Sequence, residues 1–497
     1  MKLQAPALSA IIGTALASTC ASAATTGTSV QKACSQLQVA FPENVLFPNS
    51  SRYDAERTNV WDLRSNSKPS CIFLPTTADA VAEAVTIFHR EQAQFAIRGG
   101  GHMNYPGANG IDNGVLLALG ELKETKVNPN ASTIDVGPGA KWVDVYKALA
   151  PYDLYTIGGR LKSIGVPGLT LIGGVGYFIN KYGHTMDNVL SYDVVLGNGT
   201  QVVASQDSNP ELFWSLKGGG SSFGLVTKFV FKAYHVPQVS STFQIFDQAH
   251  AHDFIRAACD MVLTEDGKVG AGAVININYN VSAGTVSPQV FGLEETTVSP
   301  PPRFSSFSAI PAVSRTDAVM KPLDWHSRLE TPNQMFRIQF GHHTIKPDAE
   351  QLIYIYEEWL AAVQEIEEVP GLFPTLVLNL APASAATVAK TNGVGNTFGI
   401  DDDQSYIWWQ FATSWANAED DLRVTAWQKR HLARLHEDNK AKGLATEFVY
   451  MGDAGEWQDS HATYGEENIV RMRAARDAYD PDLTFTTLNW GGFKLSA

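Results

Sequence analysis

Along the first half of the chain, short apolar runs alternate with turn signals. The runs are Cys71 to Leu74, Phe95 to Ile97, Val115 to Ala118, Ile134 to Val136, Val194 to Leu196, Val202 to Ala204 and Gly224 to Phe231. Each has the length of a strand bounded by glycine-rich turns. Two stretches carry helical spacing instead. Ala78 to Arg90 repeats through Val81, Val85 and Phe88, and Ala140 to Leu149 through Trp142, Val145 and Leu149. The texture is mixed α+β, without a sequence repeat.

Near Tyr234 the pattern changes. Glycine clusters stop, and longer alternating strands are predicted at Gly272 to Asn280, Met335 to His343, Thr375 to Leu380 and Tyr406 to Trp415. Long helices are predicted between them, from Ala349 to Val363 and from Asp420 to Leu435, and Val298 to Pro302 reads as a loop. This is a second domain, an antiparallel sheet backed by helices. From about Thr446 the texture changes again, and a last helix, Glu466 to Tyr479, stops at Asp480-Pro481. The expected organisation is a first domain over 24–235 with its core from about 66, an inserted substrate domain over 236–445, and a return to the first domain over 446–497.

A length of 497 residues suits two or three domains. With 44% hydrophobic and 18% charged residues the chain is of folded, globular type. The net charge of −14 argues against nucleic acid or an anionic membrane as partner. Lys2 is the only charge before Lys32; an apolar stretch from Ala7 to about Ala17 follows, and Ala21-Ser22-Ala23 offers a small-residue cleavage site. That order predicts a signal peptide over 1–23 and secretion, and the stretch is too short for a membrane anchor. Cys34, Cys71 and Cys259 remain after cleavage. One disulfide and one spare thiol is the natural count, with Cys34–Cys71 expected to staple the N-terminal arm to the body. N-x-S/T sequons begin at Asn49, Asn130, Asn198 and Asn280; Asn198, in a tight G-N-G-T stretch, is equally a turn residue.

The sharpest chemical feature is Ile97-Arg-Gly-Gly-Gly-His-Met-Asn-Tyr-Pro-Gly107. Consecutive glycines let backbone N–H groups turn onto a phosphate, and Arg98 would add a fixed charge. The segment fits neither the dinucleotide fingerprint nor a Walker A loop, and alone it is equally a glycine turn with an exposed histidine. Three more segments accompany it: Gly158 to Gly176, Tyr182 to Thr200, and Leu212 to Thr227 with its Lys-Gly-Gly-Gly-Ser-Ser-Phe-Gly run.

With these four motifs in this order, the chain resembles the FAD-linked oxidases of the vanillyl-alcohol oxidase superfamily, in the berberine-bridge-enzyme-like branch and of fungal type. The resemblance is strongest from about Pro69 to Lys232. It returns in Tyr464-Gly-Glu-Glu-Asn468 and from Tyr479 to Lys494, and the pairing of Cys34 with Cys71 fits it. It implies a PCMH-type FAD-binding module with an inserted substrate domain. It also implies FAD bonded through its 8α-methyl carbon to the histidine of R-x-G-G-H, here His102. A neutral imidazole is a suitable nucleophile for that bond. Arg98, Gly99, Gly100, Gly101, Asn104, Gly107, Ser163, Gly165, Val166, Gly168, Gly173, Gly174, Gly176, Asp187, Val226 and Asn489 are the further residues expected at the cofactor, with Asn188 and Tyr105 nearby. No metal site is expected: the adjacent His342 and His343 point to opposite faces of a strand.

Two departures bear on function. Relatives that hold the flavin by two bonds carry a cysteine where this chain has Leu161, so one covalent bond is expected, which counts against a carbohydrate oxidase. Val166 stands where relatives use a small side chain to admit oxygen to the flavin, and Pro167 replaces a usual glycine. In the active-site strand, relatives read Y-x-N-Y, where this chain has Tyr450-Met-Gly-Asp453. A carboxylate in an apolar cleft has a raised pKa and accepts a substrate proton, so Asp453 is the candidate base; the alternative is a turn residue after Gly452. Tyr450 and Gln410 complete the candidate catalytic set. Tyr406, Trp408 and Gln410 alternate with Ile407, Trp409 and Phe411, so one face is expected over the flavin and the other on helices. The reading is an FAD-dependent oxidase that passes hydride from a small organic substrate to flavin and is reoxidised by O2 to give H2O2. The alternatives are a carbohydrate oxidase and a flavoprotein cyclase without net redox turnover.

Overall fold

The computed structural model describes residues 17–330, 336–391 and 393–496. Residues 1–16, which hold Lys2 and nearly all of the expected signal peptide's apolar stretch, lie outside the described residues. The first helix is Ala17–Ala40.

The short apolar runs of the first half are strands of two small sheets. In the first, β1 (Val45–Leu46), β2 (Cys71–Phe73), β4 (Val115–Ala118) and β3 (Phe95–Arg98) lie side by side in that order. β2 and β3 run parallel to β4, and β1 is antiparallel to β2. A parallel pair needs a crossover, and the helix Ala78–Glu91 supplies it between β2 and β3. Thr77 caps this helix by accepting from the Ala80 N–H at 3.1 Å, and Val81, Val85 and Phe88 are buried in the core with Phe95 and Val115. The second sheet is antiparallel, in the order β5 (Thr125–Asn128), β6 (Thr133–Val136), β10 (Leu225–Lys232), β8 (Val189–Val195), β9 (Gln201–Ser205). A two-stranded ribbon pairs β7 (Leu154–Tyr155) with β11 (Tyr234–His235).

The rest of the chain adds one eight-stranded antiparallel sheet. Its strands are β12 (Val239–Phe246), β13 (Ala271–Asn280), β14 (Thr285–Glu294), β15 (Ala312–Met320), β16 (Arg337–Ile345), β17 (Phe373–Ala381), β18 (Tyr406–Trp415) and β19 (Ala445–Thr446). The spatial order is β15-β12-β14-β13-β17-β18-β16-β19. Helices Ala251–Leu263, Ala349–Val363 and Asp421–Ala441 bury Ile255, Trp359 and Trp427 in one core with Ile407, Trp409 and Phe411 of β18. Strand alternation sends Trp408 the other way, into the core shared by β6, β8, β10 and the C-terminal Phe448, Tyr450 and Tyr464. The two faces of β18 therefore serve different cores. Burying Ile407 or Phe411 in full contributes roughly 1.5–3 kcal/mol each.

Three strands escape the apolar pattern. β12 buries Ser240, Ser241, Thr242 and Gln244, while Phe243 and Ile245 are half-buried, so its hydrophobic alternation marks the wrong face. β15 is a largely exposed edge strand, and β14 is a strand with Pro288 inside it. The helix predicted to end at Leu435 runs on to Ala441 because polar contacts continue it: Gln351 donates to Asn439 at 2.6 Å.

Cys34 and Cys71 form a disulfide that ties the first helix to β2, and Cys259 is free and buried. The four sequon asparagines are exposed. No helix among the described residues is long and apolar enough to cross a membrane. The disulfide closes a loop with a sequence separation of 37. Its removal by Cys34→Ser is expected to cost about 2–4 kcal/mol of stability, read as a lower denaturant midpoint for the variant and for reduced wild type.

Candidate active site

A cavity of about 500 Å³ opens between the first-half sheets and the large sheet. One wall is built where two loops cross. β3 ends at Arg98 and runs into Gly99, Gly100 and Gly101; opposite it passes Ile164-Gly165-Val166-Pro167. A Cβ placed on Gly100 would sit 2.4 Å from the Gly165 Cα, and one on Gly99 would sit 2.5 Å from the Pro167 Cγ. These glycines are required by a backbone crossing, and Gly101 by its φ of +70°. The crossing sets His102 on the wall. Its imidazole stacks on Trp61 at 4.4 Å, and its Nε2 lies 3.3 Å from the Ser163 Oγ. Burial pushes its pKa down to about 4, so the ring is neutral at neutral pH.

Gly99, Gly100, Gly101, His102, Asn104, Gly165, Gly168, Val226 and Asn489 all line the cavity, as do Gln410, Tyr450 and Asp453. Other expected residues do not. Arg98 is buried and gives its guanidinium to the carboxylate and carbonyl of Glu56, so it offers no free charge to a phosphate. Val166 turns into the core at the start of the helix Val166–Leu171, and Pro167 and Gly168 take its place on the wall. Gly107 packs on the Trp490 indole. Gly173, Gly174 and Gly176 lie behind the wall, where a Cβ would strike Phe398, Thr185 and Ile157 respectively. Asp187 accepts from the His184 N–H at 2.9 Å and from Asn396 at 3.0 Å. Burial raises its pKa, but the His184 contacts and the Lys217 charge outweigh burial and hold it below the usual value. Asp187, like Asn188, which bonds the Tyr182 and His184 carbonyls, therefore pins a turn. His342 is buried with Nε2 3.1 Å from the Tyr450 carbonyl, and His343 stacks on His436 on the helix side.

The opposite wall comes from the large sheet and the C-terminal segment. Thr375 and Val377 of β17 and Gln410, Ala412 and Ser414 of β18 face inward, joined by Ile338 and Phe340 of β16 and by Val274. Tyr450 stacks on Trp408 at 4.9 Å, and its hydroxyl accepts from the Gly174 N–H at 3.3 Å. Burial raises the Tyr450 pKa above its ordinary value. Asp453 sits on the wall with its Oδ2 accepting from the Asn379 Nδ2 at 2.7 Å. Burial pushes its pKa up to about 6, moderated by Arg160 and by the Asn379 hydrogen bond.

Trp61 and Lys494 on the wall, and Asn379 behind it, are not among the site residues expected from sequence. Trp61 carries a buried indole N–H without a hydrogen-bond partner. Lys494 forms no ion pair among the described residues, and burial pushes its pKa down to about 7. Asn379 shares a strand face with Thr375 and Val377, so alternation along β17 was the signal that could have found it. Leu161, where a second flavin bond would need a thiol, is on the wall.

These features fit an anionic dinucleotide. A Cβ on Gly168 would meet nothing within 4 Å, leaving a cradle open to the cavity. Lys494 and the Trp61 N–H have no acceptor among the described residues, and the glycine wall permits close approach. Comparison with known proteins agrees. Residues 69–205 match the FAD binding domain family. The FAD-dependent monooxygenase prx3 of Penicillium roqueforti is 30% identical over 480 residues, 93% of this chain and 93% of that protein. Two solved structures share the fold. Physcomitrella patens BBE-like 1 has a TM-score of 0.76 at 21% identity, covering 93% of this chain and 99% of that one. The glucooligosaccharide oxidase of Acremonium strictum, with a 6-S-cysteinyl, 8α-N1-histidyl FAD, has a TM-score of 0.74 at 17% identity, covering 94% and 100%. The chain belongs to the family of FAD-linked oxidoreductases that includes this Penicillium monooxygenase, and it has the fold of the BBE-like protein. Its cofactor is FAD.

The loop crossing gives a direct test. Gly100→Ala forces a methyl into the Gly165 backbone, and the purified variant is expected to carry markedly less flavin than wild type, measured by visible flavin absorbance per protein.

Proposed function

We propose that the protein is a secreted oxidase that holds FAD by one covalent bond to His102 and oxidises a small, largely apolar organic substrate. The observation that carries this reading is a single cavity whose walls join a neutral His102, with Leu161 on the same wall, to a half-buried carboxylate at Asp453. His102 would form the bond to the flavin, and Leu161 cannot add the thioether that the Acremonium enzyme's cysteine provides. Gly99 to Gly101, Asn104, Gly165, Gly168, Val226, Asn489 and Lys494 would hold the rest of the cofactor. The cofactor domain comprises 24–235 and 446–497, and the substrate domain 236–445. Exposed sequons and the Cys34–Cys71 disulfide are compatible with an oxidising compartment.

When bound, FAD supplies a hydride acceptor that dioxygen reoxidises, with release of H2O2. The protein's own part is acid–base and positional. Asp453, ionised above about pH 6, takes the proton of a substrate O–H. Gln410 offers an amide for orientation. Val377, Ala412, Ile338 and Phe340 give an apolar surface that excludes water and suits a planar organic molecule better than a sugar chain. The substrate class this favours is a secondary-metabolite alcohol.

Mass spectrometry of the denatured protein tests the core of the reading. One FAD mass is expected on wild type and none on His102→Ala; an unmodified wild-type chain overturns the covalent link. Asp453→Asn is expected to lower turnover by about 10²–10⁴-fold on an alcohol that releases peroxide, and the wild-type rate is expected to rise with pH through about 6. Undiminished turnover in the variant removes Asp453 as base.

A further inference from the structure

We infer that Asn379, locked by Arg160, is a positioning residue that holds Asp453 with one carboxylate oxygen bound and the other left to the cavity. The inference rests on the reading of Asp453 as the base and adds how that base is kept in working form.

The argument is one of donors and acceptors. Arg160 sits beside Leu161 in the loop ahead of the helix Val166–Leu171. Its NH1 and NH2 both donate to the Asn379 Oδ1 at 3.1 Å, and NH1 also donates to the Ala273 carbonyl at 3.1 Å. A guanidinium has only donors, so the amide oxygen of Asn379 must face it. The amide's NH2 is thereby turned toward Asp453, where Nδ2 meets Oδ2 at 2.7 Å. An amide fixed this way can only donate. It favours the carboxylate over the carboxylic acid and blocks the rotamer in which Oδ2 would turn to the substrate. A free asparagine could flip and accept a proton from a neutral Asp453; this one cannot.

The charged surroundings leave few other influences. Facing Asp453 are Arg160 from the first half, Asn379 from β17 and the Tyr450 phenol from its own turn. His102 and Lys494 are the remaining ionisable groups on the wall. The relay also spans the molecule. Arg160 belongs to the first half, Asn379 and Ala273 to the large sheet, and Asp453 to the C-terminal segment. The orientation of Asp453 therefore draws on all three parts of the chain.

The test is an infrared pH titration of the holoenzyme as purified, following the carboxylic-acid carbonyl band that Asp453→Asn abolishes. Asn379→Ala and Arg160→Gln are each expected to move its midpoint up by about one pH unit. Arg160→Lys, which keeps a cation but loses the fork, is expected to move it less, and carries the test where Arg160→Gln does not fold. Wild-type midpoints in both Asn379→Ala and either Arg160 variant, with normal flavin content and melting, overturn the relay. The base reading fails separately: if Asp453→Asn retains full peroxide production while the midpoint shifts stand, Asp453 is held as described but is not the base.

Discussion

Two loops cross between Gly100 and Gly165 with no room for a methyl group on either, and the geometry of the cavity depends on that contact. A Cβ on Gly100 would lie 2.4 Å from the Gly165 Cα, and one on Gly165 would lie 2.5 Å from the Gly100 nitrogen. Because the interior is close-packed, such a clash is relieved only by moving a whole loop. The crossing fixes three things together. It places His102 against Trp61 and Ser163, it sets Leu161 on the same wall, and it starts the short helix whose Pro167 and Gly168 border the cavity. The glycines that read as a phosphate cradle are thus first of all a joint between two chain segments, and the cradle is what the joint leaves open.

The other wall obeys a different constraint, the alternation of a strand. β18 has Ile407, Trp409 and Phe411 in a helix-backed core, and Trp408, Gln410, Ala412 and Ser414 toward the first half. A slip of one residue would exchange the two sets. Long antiparallel pairing with β16 and β17 fixes the register along the whole strand, so the placement of Gln410 is as secure as the burial of two tryptophans. β17 does the same for Thr375, Val377 and Asn379.

What the sequence disclosed follows from these constraints. Regular elements with a clear period were legible: Ala349–Val363 and Glu466–Tyr479 match their spacing, and the face assignment of β18 matches its packing. β12 and β15 were not legible, because one buries its polar residues and the other is an exposed edge. At the site, His102 stood out by its motif, and Leu161 and Asp453 as departures from the pattern of the family the chain resembles. Arg98, Val166 and Asp187 were placed at the cofactor by motif alone, and each is committed elsewhere: to Glu56, to the core, and to a turn. Motif position says which segment is near the site, but the direction of each side chain is decided by local backbone, which no spacing rule encodes. Lys494 and Asn379 were missed for the opposite reason, since each is ordinary in its own segment and acquires meaning only from what faces it.

The polar groups of the cavity share one logic. In this wall, burial moves three ionisable groups toward their neutral forms: His102 to about 4, Lys494 to about 7, Asp453 to about 6. For His102 that shift leaves the imidazole neutral at neutral pH. For Asp453 it stops short of neutrality, and the carboxyl still ionises near neutral pH. The difference between them lies in the neighbours. His102 has a serine and an indole, which leave the effect of burial nearly intact. Asp453 has an amide geared by a guanidinium, which opposes it. Lys494 has no partner among the described side chains, so its charge is available to an anion that enters the cavity. The same low-dielectric wall thus holds a neutral imidazole, a carboxyl that ionises near neutral pH and an amine that does the same, and the state of each follows from which hydrogen-bonding groups the fold brings within reach.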